Sequence, residues 1–355
     1  MRIVFAGPVP PLRGGIAQHG GRLVEALRAA GHELEVISWS AHYPRLLYRH
    51  DQRESGAAPP AGARFDLAWW SPASWRRAGR AARRADLLVF PWVTAFHALP
   101  LRVMIAAARP TPAVAVVHNP LPHDPQPFQR ALTRSVLRRA HGALVHGRRV
   151  ARELHALTGL ERVESVPMPA LIEVAPAPLP PRPPLRLLFL GFVRPYKGLD
   201  LALGAVRLLV ERGREVELTV AGEFWEPLER WRARLRAEDL ERCVELRPGF
   251  ALPEEIGRLL AAHHLLVAPY RAATQSGVVP LAFAAGRPVV ATDVGALAER
   301  VREGATGALA PPGDPAAFAA AIERAAARLE PLAAGALADR ATWPQVAEAL
   351  LRAGG

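Results

Sequence analysis

Leu185-Arg186-Leu187-Leu188-Phe189-Leu190-Gly191-Phe192-Val193-Arg194-Pro195-Tyr196-Lys197-Gly198 decides the reading of the fold. A strongly apolar run of strand character, 185–191, ends on a glycine, and a helical pattern, 198–211, follows. A strand handing over to a helix through a short loop is the building unit of a parallel sheet. The loop carries Arg194 and Lys197 with no acidic residue between them. Two cations at a strand end beside a helix start suit a diphosphate without any metal. A solvated surface pair would read the same way, but composition favours the site. Of 45 basic residues, Lys197 is the one lysine and the other 44 are arginine. Abundant Ala, Arg, Gly and Pro point to GC-rich coding, under which Arg replaces surface Lys at little cost. Where a compact, flexible ammonium is needed, it does not.

The same alternation extends in both directions. Upstream, strand patterns fall at 2–6, 34–38, 86–90, 113–117, 143–146 and 162–166, with helical patterns at 16–30, 73–84, 127–139 and 148–157. Downstream, strands are expected at 216–221, 244–247, 265–268, 288–292 and 307–310, with helices at 227–237, 253–262, 278–285 and 314–329. Between the halves, 176–184 holds six prolines in nine residues, which excludes helix and central strand and reads as a semi-rigid linker. The expected fold is α/β: two doubly wound Rossmann-like domains, 1–175 and 185–355, facing each other across a cleft. Ligands of such sheets bind at the carboxyl ends of the strands.

The 355 residues suffice for two domains of this size. One cysteine, Cys243, excludes a disulfide framework and a multi-cysteine metal site, and fits a reducing cytoplasm. The apolar stretch 85–117 is broken by Pro91, His97, Pro100, Arg102 and Arg109, so no membrane span is expected, and the start reads as a first strand rather than a signal peptide. The net charge of +12 is uneven: 23 basic against 12 acidic residues in 1–180, but 22 against 21 in 181–355. An anionic partner is therefore expected on the first half.

Three further stretches suit chemistry. Gly14 and Gly15 stand where the first strand gives way to a helix, so the backbone and helix N-terminus can approach an anion. Tyr270-Arg271-Ala272-Ala273-Thr274-Gln275-Ser276-Gly277-Val278 precedes a short helix and offers a backbone nest for phosphate. His118, followed by the chain's one asparagine, Asn119, ends a buried strand on the expected cleft. His123 and Asp124 follow soon after, without a role assigned. No DxD sequence is present, so a metal-held diphosphate is not expected, and the P-loop, GxSxG and HExxH motifs are absent as well. No nucleic-acid-binding motif accompanies the positive charge.

Together these stretches resemble the retaining glycosyltransferases of family 4, the glycosyl transferases group 1, which have the GT-B fold. The resemblance runs from Arg13-Gly14-Gly15-Ile16-Ala17-Gln18-His19 and Ala30-Gly31-His32 through His118-Asn119 and Arg194-Pro195-Tyr196-Lys197-Gly198. It continues with Gly286-Arg287-Pro288-Val289-Val290, Thr292-Asp293-Val294-Gly295 and Gly304 to Asp314. It implies an N-terminal acceptor domain and a C-terminal donor domain, with the last helix, about 342–355, packed back on the first. Arg194 and Lys197 would hold the diphosphate of a UDP- or GDP-linked sugar. Gly15 and the 276–278 amides would complete the cradle, His118 would lie near the transferred sugar, and Glu223 would line the nucleoside pocket. Transfer would proceed with retention by front-face attack, the leaving phosphate helping to take the acceptor proton, without cofactor or metal.

One departure stands out. Many members carry two glutamates eight residues apart before and within the helix that precedes Gly-x-Pro-Val-Val, where this chain has Ala273 and Leu281. Thr274, Gln275 and Ser276 offer substitute polar contacts, and a non-catalytic sugar-nucleotide- or glycan-binding subunit is the alternative reading. The acceptor is expected to be a glycan or a lipid-linked molecule of the cell envelope. Arg77, Arg80 and Arg84, at helical spacing, would form a basic face towards an anionic membrane, beside Arg45, Arg49, Arg76, Arg83, Tyr43, Leu46, Leu47, Trp69, Trp70 and Trp75.

Overall fold

The computed structural model describes residues 1–43, 51–54, 56–121, 127–249, 251–273 and 276–355. In chain order the elements begin with β1 (Arg2–Ala6), α1 (Gly15–Ala29), β2 (Glu33–Ala41), β3 (Arg64–Ala68), α2 (Pro72–Ala82) and β4 (Leu87–Trp92). Next come α3 (Ala98–Ala108), β5 (Ala113–Val117), α4 (Pro127–Leu137), β6 (Gly142–Val145), α5 (Arg148–Thr158) and β7 (Val163–Ser165). The second half holds β8 (Leu185–Leu190), α6 (Leu199–Glu211), β9 (Val216–Gly222), α7 (Leu228–Ala237), β10 (Val244–Pro248), α8 (Pro253–Ala262), β11 (Leu265–Ala268) and α9 (Val278–Ala284). It continues with β12 (Val289–Thr292), α10 (Gly295–Arg300), β13 (Gly307–Ala310), α11 (Pro315–Ala326) and α12 (Leu329–Ala338), and ends on α13 (Trp343–Gly354).

The chain forms two compact units, Met1–Leu171 with Thr342–Gly355, and Ile172–Ala341. The first holds a seven-stranded sheet of order β3-β2-β1-β4-β5-β6-β7, the second a six-stranded sheet of order β10-β9-β8-β11-β12-β13. Every strand pair is parallel. Both orders reverse direction once, between β1 and β4 and between β8 and β11. Such a switch point leaves a crevice at the strand carboxyl ends.

Alternate residues of each strand enter opposite layers. In the first unit Val4, Leu88, Phe90, Ala115 and Val117 pack with Trp75, Leu101 and Met104 on one face. Ile3, Phe5, Val89, Val114 and Val116 pack with Leu23, Leu27, Val346 and Leu350 on the other. With both faces covered, the strands need to be apolar throughout, as their sequences are. Each fully buried Leu, Val or Phe contributes about 1.5–3 kcal/mol relative to exposure. The terminal helix α13 thus belongs to the first unit. Its start is fixed by a capping box between Thr342 and Gln345, and the Trp343 indole N–H donates to the Ala170 carbonyl at 3.0 Å.

The proline-rich stretch behaves differently from a free spacer. It is fastened to the second unit: the buried Arg287 guanidinium donates to the carbonyls of Ala177 (2.9 Å) and Pro178 (2.7 Å), and His264 Nε2 meets the Pro180 carbonyl at 2.9 Å. Helix α2 also ends earlier than its arginine spacing implies. Arg84 lies in the turn beyond Ala82 and does not extend the helical face. Among the described residues, no helix is long and apolar enough to cross a membrane.

Candidate functional site

In the second unit, the loops after β8 and β11 meet at the switch point. Pro195–Lys197 forms one 3₁₀ turn that places Arg194 and Lys197 at the carboxyl edge of the sheet. Gly198 closes the turn at φ 68°, and a side chain there would strike the Pro269 carbonyl at 2.0 Å, so only glycine allows this close approach. Arg271 fastens them. Its amide donates to the Tyr196 carbonyl at 2.7 Å, one guanidinium nitrogen to the Pro195 carbonyl at 2.9 Å, and both outer nitrogens to the Asp200 carboxylate at 2.9 and 2.5 Å. Asp200 lies in the first turn of α6, where a carboxylate also favours the helix dipole. Arg271 in turn holds the Asp200 carboxyl below its ordinary range.

Lys197 is only 9% exposed. Its Nζ lies 5.1 Å from the centre of the buried Tyr270 ring. Burial, and then the neighbouring Arg194, push its pKa down to about 8. The ammonium is therefore held where water stabilises it poorly, and an incoming anion would restore that loss. Arg194 stacks on Trp225, guanidinium carbon to ring centre 3.5 Å. With Tyr196, Asp200, Glu226 and Arg230, Arg194 lines a cavity of about 360 Å³.

The loop after β9 lies against this site. Val193 N–H donates to the Glu223 carbonyl at 2.8 Å, and Trp225 N–H to the Val193 carbonyl at 3.1 Å. Gly222 permits the approach: at φ 155°, a Cβ would lie 1.9 Å from the Gly191 carbonyl oxygen. Glu223 itself is exposed. Ser276 is half-buried, Gly277 exposed, and Val278 opens the seven-residue helix α9. Thr274 and Gln275 lie outside the described residues, as do Arg45, Leu46, Leu47, Arg49, His123 and Asp124. The Ala273 carbonyl accepts the Ala296 N–H at 3.2 Å, and Leu281 is buried. These two positions serve packing and turn closure.

The first unit presents a different chemistry at its carboxyl edge. His118 follows β5, His146 follows β6, and His19 lies on α1; all three are buried. His146 Nδ1 lies 3.0 Å from the Val166 carbonyl and its Nε2 2.7 Å from His19 Nε2. A carbonyl only accepts, so His146 carries its proton on Nδ1 and accepts at Nε2 the N–H of His19. His118 meets the His19 ring edge-on with centres 4.6 Å apart, and Trp343 closes the far side at 5.0 Å. Burial, then the neighbouring His146, hold the His118 pKa at about 3. Burial holds that of His146 at about 4, against the raising effect of Val166. The cluster is thus neutral at pH 7, able to donate and accept hydrogen bonds but not to neutralise phosphate. Among the described residues, no group of three or more His, Cys, Asp and Glu is arranged to hold a metal ion.

Gly14 and Gly15 are exposed at the start of α1, which has no side-chain cap. Arg77 and Arg80 stand exposed on α2 beside Arg76. A second aromatic group lies near them: Trp70 against Trp69 at 5.2 Å and Trp69 against Phe96 at 5.8 Å, with Trp70 57% and Leu99 60% exposed. The structure therefore joins Arg194 to Lys197, and His118 to two histidines the sequence did not single out as site residues. Arg271 and Trp225 were also missed. A lone aromatic residue or arginine in an arginine-rich chain carries no local signal.

Two parallel, doubly wound Rossmann-like sheets on one chain make the GT-B fold. The family described as Glycosyltransferase Family 4 matches residues 13–170, and that of the Glycosyl transferases group 1 matches residues 184–328. The chain belongs to these group 1 glycosyltransferases. It is 28% identical over 322 residues to a phosphatidyl-myo-inositol mannosyltransferase of Mycolicibacterium smegmatis, covering 87% of this chain and 80% of that protein. It is 33% identical over 147 residues to the amylovoran biosynthesis glycosyltransferase AmsK of Erwinia amylovora (40% of this chain), and 36% identical over 185 residues to a D-inositol 3-phosphate glycosyltransferase of Geodermatophilus obscurus (47% of this chain). These last two matches span 36% and 39% of the relatives' own lengths. In fold it is similar to the lipopolysaccharide outer core galactosyltransferase WaaB, with TM-score 0.74, 14% identity and 99% of both chains covered. The Anabaena protein Alr3699/HepE in complex with UDP gives TM-score 0.70, 16% identity and 98% of both chains.

Proposed function

We propose that this protein moves a sugar from a nucleoside diphosphate sugar to an acceptor hydroxyl, with retention at the anomeric carbon and without a metal. The observation that carries the reading is the pair Arg194 and Lys197 at the switch point of the second sheet, neither of them ion-paired with a carboxylate among the described residues. In the reaction the bond from the anomeric carbon to the diphosphate oxygen breaks, and the acceptor oxygen bonds that carbon. The acceptor proton passes to the departing phosphate. Negative charge grows on the diphosphate as it leaves, and the two cations stabilise it there. The UDP and UDP-glucose bound by Alr3699/HepE support a UDP-linked sugar as the first donor to try. Gly14, Gly15 and the 276–278 amides are proposed as further phosphate contacts, Glu223 as a nucleoside contact, and neutral His118 as a hydrogen-bonding partner of a sugar hydroxyl.

For the acceptor we favour a glycan or lipid-linked molecule of the cell envelope. The exposed Trp70, Phe96 and Leu99, near Arg76, Arg77 and Arg80, suit the headgroup region of an anionic membrane. That would place the protein on the cytoplasmic face of the cell membrane. Release of sugar from UDP- and GDP-linked donors, followed with and without chelator, tests the catalytic reading. Lys197→Ala is expected to lower turnover at least 100-fold with an unchanged unfolding midpoint. Unchanged turnover would overturn the assignment. Nucleotide binding without any sugar release would identify a binding subunit instead.

A further inference from the structure

Most arginines around the switch point of the second unit are tied to carboxylates. Arg271 engages Asp200, Arg234 engages Glu238 at 2.6 Å, and Arg230 engages Glu226, the carboxylate that shares the Arg194 cavity. Arg194 is not treated this way. Its Nε is buried without a hydrogen-bond partner. Two rings flank it, Trp225 at 3.5 Å and Phe192 at 5.7 Å from the guanidinium carbon. A carboxylate in that place would engage two guanidinium donors and cancel the charge. An indole stacks on the planar face, so the N–H groups at the edge stay available in the plane.

Trp225 is 58% exposed, so it is not there to fill the core. Its backbone is nonetheless fixed. Its N–H is bonded to Val193, Phe224 pairs with Val193 as an isolated parallel bridge, and the approach passes over Gly222. An exposed aromatic ring held by a rigid backbone over a cation is a built contact.

We propose that Trp225 is the positioning residue for Arg194: it holds the guanidinium by its face, so that its charge and its outer N–H groups remain free for the diphosphate. This rests on the reading of function given above. It assigns Trp225 no contact with the nucleotide.

The experiment is a double-mutant cycle on the full chain, measured by calorimetry with whichever of UDP, GDP and ADP binds the wild type. Trp225→Ala is expected to weaken binding about fivefold, the size of one partly exposed cation–π contact. Trp225→Phe, which keeps a ring face, is expected to stay within about twofold of wild type. Trp225→Glu supplies the missing carboxylate and is expected to lose tenfold or more. In an Arg194→Gln background the loss from Trp225→Ala is expected to vanish, because a residue acting through Arg194 has nothing left to position. A Trp225→Ala loss of equal size in that background would mean that the indole contacts the nucleotide directly, and would overturn the proposal. Unchanged binding in Trp225→Ala and Trp225→Glu would overturn it as well. A wild type that binds none of the three nucleotides would instead sink the functional reading, and the inference with it.

Discussion

The two units share a sheet topology, yet one carboxyl edge is neutral and the other cationic. In the first, three buried histidines interlock and stay neutral: burial lowers the pKa of each, with values of about 3 for His118 and about 4 for His146. In the second, Lys197 beside Arg194 is as little exposed as His118, yet with a pKa of about 8 it keeps its charge around neutral pH. Topology therefore fixes where a ligand site lies but not what it binds. The loop residues decide that. A neutral imidazole cluster suits hydroxyl groups, and a cation pair held by aromatic rings suits phosphate.

Acid should break the neutral side first, and with the largest effect. A histidine with a lowered folded pKa binds more protons when unfolded. Its stabilisation is therefore complete above about pH 6.5 and is lost as pH falls towards its folded pKa of 3–4. His118 and His146, together with the stacked pair His42 (about 3) and His97 (about 4), all lie in the first unit. At pH 5 each such histidine should cost about 2 kcal/mol relative to pH 7. Urea unfolding at the two values, read through the tryptophans, measures it. A midpoint that does not move would contradict the neutral assignment.

Alkali should reach the cationic side next. With Lys197 titrating at about 8, nucleoside diphosphate affinity should fall as pH rises through that value. At pH 9 it should be roughly tenfold weaker than at pH 7, and Lys197→Arg should flatten the curve. A wild-type affinity constant from pH 7 to 9 would remove Lys197 from the site. The smallest effect on folding is expected from the basic face. Arg76, Arg77 and Arg80 are exposed and, among the described residues, form no ion pair, so replacing all three with Ser should leave the unfolding midpoint unchanged. Flotation with anionic vesicles should nevertheless be lost in the triple variant. Equal flotation of the wild type with neutral and anionic vesicles would dismiss the reading of an anionic membrane surface.

Much of this architecture was legible in the sequence, because buried parallel strands announce themselves as apolar runs between glycines and prolines. β1, β5, β11 and β13 lie where the runs place them. β3 was missed: it is a five-residue edge strand, Arg64-Phe65-Asp66-Leu67-Ala68, whose pairing with β2 shifts register twice. α3 was missed for the opposite reason. It is apolar on most sides, begins near Pro100 and has little helical periodicity to detect. Within the site, Lys197 could be found because it is unique in composition. The histidine cluster could not, since 127 positions separate His19 from His146 and only the folded sheet joins them. The Asp200–Arg271 clamp, 71 positions apart, was hidden in the same way.

The terminal helix α13 sets an order of assembly. It lies in one hydrophobic layer with Ile3, Phe5 and Val89, against strands made before any of the second unit. During synthesis, those strands must wait until all of Ile172–Ala341 has emerged before their last covering layer exists. The second unit can close its own core as soon as it is made. The first unit is thus finished after the second, and until then the strands that α13 covers stay exposed on the nascent chain.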